Sequence, residues 1–152
     1  MEERPYPEGV ECSWLASDRE GHLGVLVTNG CGPIPVLALQ RDYPLDEMEG
    51  QLLKLPKTSD AHLPSPIPEP GRFAELAARG LFVYDWSDVR RAKADQIGEY
   101  ELIALPYRPL LLDLLPNDLA DAARSVRFIN VVLQTAWRVN VRAHLPCREA
   151  PA

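Results

Sequence analysis

Residues 14–35, WLASDREGHLGVLVTNGCGPIP, constrain the fold more than any other stretch of the chain. Asp18-Arg19-Glu20-Gly21 has the composition of a turn. An aspartate at the head of a turn accepts nearby backbone N–H groups, and a glycine three residues on takes a positive φ without a Cβ clash. A β-hairpin is therefore expected, with arms Cys12–Ala16 and His22–Thr28. In the second arm Leu23, Val25 and Val27 share one face while Gly24, Leu26 and Thr28 share the other, since side chains alternate along a strand. Both faces are mostly apolar, which places this strand at the centre of its sheet. Trp14 is expected to anchor the core.

Asn29-Gly30-Cys31-Gly32-Pro33-Ile34-Pro35 then breaks the strand. A phosphate cradle needs free N–H groups converging at a helix start. Pro33 and Pro35 remove two donors from that place, and neither a Gly-Lys-Ser/Thr ending nor the full Gly-x-Gly-x-x-Gly spacing is present. The segment is expected to reverse the chain and lead into a first helix.

Further along, Pro44 suits a first helical turn, and Asp46, Glu47 and Glu49 suit its positive end. Leu45, Met48, Leu52 and Leu53 form the buried stripe and Pro56 stops the helix. Residues 57–70, with proline at every second position from Pro64 to Pro70, read as an extended crossing poor in hydrogen bonds. A short helix is expected over Gly71–Arg79 before Gly80, with Phe73, Leu76 and Ala77 inward, then a buried strand over residues 81–86. Ser87–Gly98 is a charged connector, residues 99–105 form another strand, and Asn117 or Asp118 caps a helix running to Arg124.

The last third admits two readings. Val126, Asn130, Leu133 and Trp137 fit helical spacing, whereas the β-branched residues of Val126–Leu133, with Phe128, favour strands. Trp137, Val139, Val141, Ala143 and Leu145 alternate with Arg138, Asn140, Arg142 and His144, the pattern of a half-buried strand with Trp137 inward. The expected fold is α+β: one domain over residues 1–152, with a mostly antiparallel sheet of about five or six strands and two to four short helices packed on it.

Candidate chemistry is sparse. Cys12, Cys31 and Cys147 form no disulfide framework; His144-x-x-Cys147 is one short-spaced pair, but Cys12, His22 and Cys31 supply no second such pair for a zinc site. No metal or cofactor is expected. Cys31, in a glycine-flanked loop, is the one thiol placed for nucleophilic work, with His22 as its base from the paired strand. The acid pairs Asp18/Glu20, Asp85/Asp88 and Asp118/Asp121 sit at turn, cap and solvated-face positions rather than in a cleft.

Charge is more informative. The formal net charge is −6, which argues against direct nucleic-acid binding. Against that average, residues 124–152 carry Arg124, Arg127, Arg138, Arg142 and Arg148 with Glu149 as the lone acid. Arg138 and Arg142, two pleats apart with His144 beyond, are expected to project from one side of the last strand as a binding face. No run approaches the roughly 18 apolar residues that span a bilayer. The acidic start MEERPYPEGVE lacks a signal-like apolar stretch, so a cytoplasmic protein with no membrane contact is expected.

Trp14-Leu15, Asp18, Gly21-His22, Thr28 and Gly30-x-Gly32-Pro33-x-Pro35 resemble the N-terminal hairpin of small bacterial proteins of unknown function, some of which look like immunity proteins of polymorphic toxins. The resemblance covers about the first quarter of the chain and carries no catalytic residue. It implies a non-catalytic binding protein that covers a cognate toxin, and no functional residue carries over from it; charge alone makes Asp46, Glu47 and Glu49 the candidates to meet a basic partner, with Arg138, Arg142 and His144 as a further contact. The alternatives are a small hydrolase or metal enzyme using Cys31 and His22, and a structural subunit docking through the arginine face.

Overall fold

In the computed structural model, which describes residues 3–40, 43–67 and 69–151, the two-faced hairpin organises everything else. Met1 and Glu2 of the acidic start and Pro68 of the proline crossing lie outside the described residues. The hairpin arms are β1 (Ser13–Asp18) and β2 (Leu23–Val27), in register with Trp14 opposite Leu26 and Leu15 opposite Val25. Gly21 takes φ +85° in the turn, where a side chain would be strained. There follow β3 (Ile34–Pro35), α1 (Val36–Leu39), a 3-10 turn over Leu45–Glu47 running into α2 (Met48–Leu52), β4 (Ala61–His62) and α3 (Gly71–Ala78). The second half contributes β5 (Phe82–Asp85), β6 (Tyr100–Pro106), α4 (Asn117–Ser125), β7 (Arg127–Phe128), β8 (Arg138–Val139) and β9 (Cys147–Arg148).

The α+β class holds, but the sheet is mixed rather than simply antiparallel. Seven strands run in the order β4-β6-β5-β2-β1-β7, with β8 also on β6, and a separate two-stranded ribbon joins β3 to β9. β2 pairs parallel with β5, and β1 parallel with β7, while the remaining pairings are antiparallel. The parallel pairings come from crossovers. α3 lies in the connection that returns the chain beside β2, and α4 in the one that returns it beside β1. The outermost strands are two residues long, too short to offer a template for edge-to-edge pairing.

The central strand is buried on both faces, as its composition requires. Leu23, Val25 and Val27 join Leu15, Val83, Met48, Leu52, Leu76, Leu119 and Ala123 in one apolar cluster, which α2, α3 and α4 cover. Leu26 joins Trp14, Phe82, Tyr84, Tyr100 and Phe128 in the other. Each large side chain so enclosed stabilises the fold by about 1.5–3 kcal/mol. The expected helices are present with shifted ends. α4 starts at Asn117 with Pro116 in the capping position, so neither Asn117 nor Asp118 caps it. Among its described residues the crossing over 57–70 pairs in the sheet only through β4, and it bends at Ser59 and over Pro64–Ser65.

The last third departs from the expected strands. Only Arg127–Phe128 and Arg138–Val139 pair in the main sheet; Val141–Ala143 is a 3-10 turn, and Cys147–Arg148 pairs with β3 instead. The alternation survives in burial only over residues 138–142: Val139 and Val141 are enclosed while Arg138, Asn140 and Arg142 face water, but Ala143, also expected inward, is exposed. α2, α3 and α4 cover one face of the sheet; on the second, α1 contributes Ala38 and Leu39 and this irregular segment adds to the cover. Val131, Leu133, Val139 and Val141 press onto Trp14, Tyr84 and Tyr100. The Tyr84 hydroxyl donates to the Ala136 carbonyl at 2.7 Å and pins the segment down. Trp137, expected inward, is 64% exposed. No helix among the described residues is long and apolar enough to cross a membrane.

Candidate functional site

The glycine-proline loop after β2 proves to be a packing device. The Tyr100 hydroxyl, fully enclosed, receives the Trp14 indole N–H at 3.3 Å and donates to the Pro33 carbonyl at 2.9 Å. The Tyr6 hydroxyl donates to the Gly32 carbonyl at 2.7 Å. A Cβ on Gly32 would fall 2.3 Å from the Tyr100 oxygen, so only glycine lets the loop lie against that phenol. Burial holds the Tyr100 phenol well above its ordinary pKa.

The pairing of Cys31 with His22 does not form. The two residues flank opposite ends of β2, a strand of five residues, so about 16 Å of extended chain lies between them. His22 instead turns to Asp18. The other two thiols are poor nucleophiles: burial pushes Cys12 up, and burial followed by the charge of Glu149 pushes Cys147 up to about 11.

The donor atoms of Asp18, Glu20 and His22 lie within 4.8 Å of one another, the spacing of a cation site. Their hydrogen bonds assign them a different task. Asp18 is wholly buried. Its Oδ1 accepts the Glu20 and His22 backbone N–H groups, each at 2.9 Å. Its Oδ2 accepts the Leu133 N–H at 2.9 Å and the His22 Nδ1–H at 3.2 Å. Four donors occupy the four lone-pair directions of one carboxylate, and a metal ion would have to displace them. The cluster closes the turn and clasps residue 133 to it.

Asp85 and Asp88 are also buried. Asp85 receives Asn29 at 2.7 Å and Arg90 at 2.5 Å. Asp88 caps the connector by accepting the Ile97 and Gly98 N–H groups at 2.9 and 2.7 Å. Although burial alone would raise the Asp88 carboxyl, these N–H groups and Arg91 hold it below the usual range.

A different set of acids faces outward. Glu11, Asp46 and Glu49 line a depression of about 150 Å³ with Arg72, floored by Cys12, Ser13 and Leu45. The 3-10 turn and α2 carry Asp46 and Glu49 to the start of β1, where the buried Ser13 hydroxyl donates to Glu49 at 2.7 Å. Arg72, from α3, bonds Glu11 and lies 3.6 Å from Glu49. Asp46 makes no ion pair among the described residues, and Glu47 is exposed beside the depression. The helix acids were visible in the sequence. Glu11 and Arg72 were not, because folding alone brings residues 11, 49 and 72 together.

The arginine face is broken up. The strand carrying Arg138 ends at Val139, so Arg142 and His144 leave its row. Arg138 lies 3.9 Å from Glu101, and Arg142 grips Glu149 with two bonds at 2.8 and 2.5 Å while resting over Trp86. The exposed His144 ring meets Phe128 edge-on. No family model, curated protein or solved structure matches the chain. What the protein does must therefore be read from this geometry.

Proposed function

We propose that the chain is a non-catalytic binding protein of the immunity type, which neutralises a basic toxin by covering it. The supporting observation is the outward-facing depression of Glu11, Asp46 and Glu49. It already accommodates one guanidinium, Arg72, and keeps Asp46 without a cationic partner among the described residues. A lysine or arginine of the partner enters there, against Asp46, with Glu47 at the rim. Charge complementarity of this kind steers association and fixes orientation, while a contact of about 800 Å² on each partner supplies occlusion without a reacting group. The separation of Cys31 from His22, and the raised pKa values of Cys12 and Cys147, favour this reading over a thiol hydrolase.

The test is complex formation with the toxin encoded beside the gene. A 1:1 complex that protects cells is expected, and Glu11→Lys with Asp46→Lys should weaken it at least about tenfold. The urea midpoint of the variant should stay close to that of the parent. Full affinity in the double variant, or no protection by the parent protein, would remove this function.

A further inference from the structure

We propose that a second depression, at the hairpin-turn end of the sheet, is a docking site for an acidic segment of a protein partner, whose carboxylates enter between Arg19, Arg124 and Arg127. The inference stands apart from the acidic depression described above: it concerns other residues and a ligand of opposite charge.

Three observations carry it. The first is size. The hollow measures about 320 Å³ and is lined by Arg19, Arg124 and Arg127 with Glu20, Leu111 and Asp113 among its other walls. That volume reaches the lower end of the range for ligand sites, large enough for a pair of side chains.

The second is charge left uncompensated in an acidic protein. Eight arginines form an ion pair with a carboxylate: Arg72, Arg79, Arg90, Arg91, Arg124, Arg138, Arg142 and Arg148. Arg4, Arg19, Arg108 and Arg127 form none among the described residues, and two of those four face this one hollow. Arg124, its third arginine, has only a 3.6 Å pairing with Asp121 in which both side chains are more than half exposed, so a better-placed carboxylate replaces it at little cost. Arg127 is also held in position, since its guanidinium donates to the Arg19 carbonyl at 3.1 Å. A planar fork fixed in this way suits two-point recognition of a carboxylate.

The third observation selects the kind of ligand. Leu111 is 43% and Leu114 72% exposed, on either side of the lining residues Leu112 and Asp113. Glu20 and Asp113 interrupt the positive lining, so it suits carboxylates spaced by uncharged residues rather than a continuous run of phosphates. Exposed leucine beside arginine matches a peptide that carries both carboxylates and apolar side chains.

The probe is a short fluorescent peptide alternating glutamate with leucine, followed by anisotropy against the full chain. Saturable binding that weakens as salt rises is expected. Arg19→Glu with Arg127→Glu should weaken it at least about tenfold, and Arg19→Gln with Arg127→Gln should reproduce most of the loss without reversing any charge. Far-ultraviolet circular dichroism and the urea midpoint establish that each variant folds. Equal affinity of parent and folded variants overturns the inference. So does equally tight binding of a glutamine–leucine peptide, or more effective competition by inorganic phosphate or a single-stranded oligonucleotide than by the unlabelled peptide. Because Asp46 and Glu11 are untouched, loss of peptide binding here is distinguishable from failure of the toxin complex.

Discussion

The carboxylate of Asp18 and those of Glu11, Asp46 and Glu49 differ in who has claimed them. In the hairpin turn four donors of the protein's own chain surround one buried acid. In the depression beside β1 the acids keep open directions toward solvent, and Arg72 engages only two of them. A cluster of acids on its own therefore says little about binding. Where backbone N–H groups have consumed the oxygens, the acid is a fastener; where they have not, it is available to another molecule.

The sharpest way to break this contrast is Asp18→Ala. It leaves the Leu133 N–H and the turn N–H groups without their acceptor in a closed interior, so a loss of about 3–5 kcal/mol in urea unfolding is expected. A loss under about 1 kcal/mol would mean that the turn does not depend on its carboxylate. Next comes Asp88→Asn, which exchanges a charged acceptor for an amide at the connector and should cost about 1–3 kcal/mol at neutral pH. Its pH dependence carries a sign. The folded-state pKa of Asp88 lies below the ordinary value, so its contribution is complete above about pH 4 and disappears as the pH falls through the depressed value. The parent protein should lose stability faster than Asp88→Asn below about pH 4, and the two unfolding curves should converge there.

Glu49→Gln, which keeps an acceptor for Ser13 but gives up the charge facing Arg72, should cost no more than about 1 kcal/mol. Asp46→Ala should change stability by less than about 0.5 kcal/mol, as exposed substitutions do, while reducing affinity for a basic partner. If Asp46→Ala destabilised the fold as Asp18→Ala does, the distinction between the two regions would collapse.

The same contrast explains what could be read from the sequence. The hairpin was legible because its turn and its two apolar faces are set within twenty residues, although β1 runs on to Asp18. Trp14 lies inside as expected, and β2 is central. The helices over residues 71–78 and 117–125 were legible from local spacing as well. The last third was not. Alternating burial is the signature of a strand, but a loop laid across a sheet face also buries every second residue, and Val139 and Val141 do so from either side of a strand end. Trp137 followed neither pattern and faces solvent. The parallel pairings were hidden because they depend on where crossovers return the chain. Of the candidate sites, Asp46 and Glu49 were visible on their helix. Their companions Glu11 and Arg72, and the meeting of Arg19 with Arg127, arise from contacts between residues far apart in sequence.

The pairing of β1 with β7 joins residues 17 and 18 to residues 127 and 128, and β3 near the start waits for β9 at 147 and 148. As the polypeptide leaves the ribosome, the hairpin emerges well before β7 and displays an unpaired margin until residues 127 and 128 have been made. Closure entropy for such distant partners must be met before their contacts form, which slows folding. During that interval the open edge of the first strand is exposed to mispairing with a neighbour, and a holding chaperone would protect it.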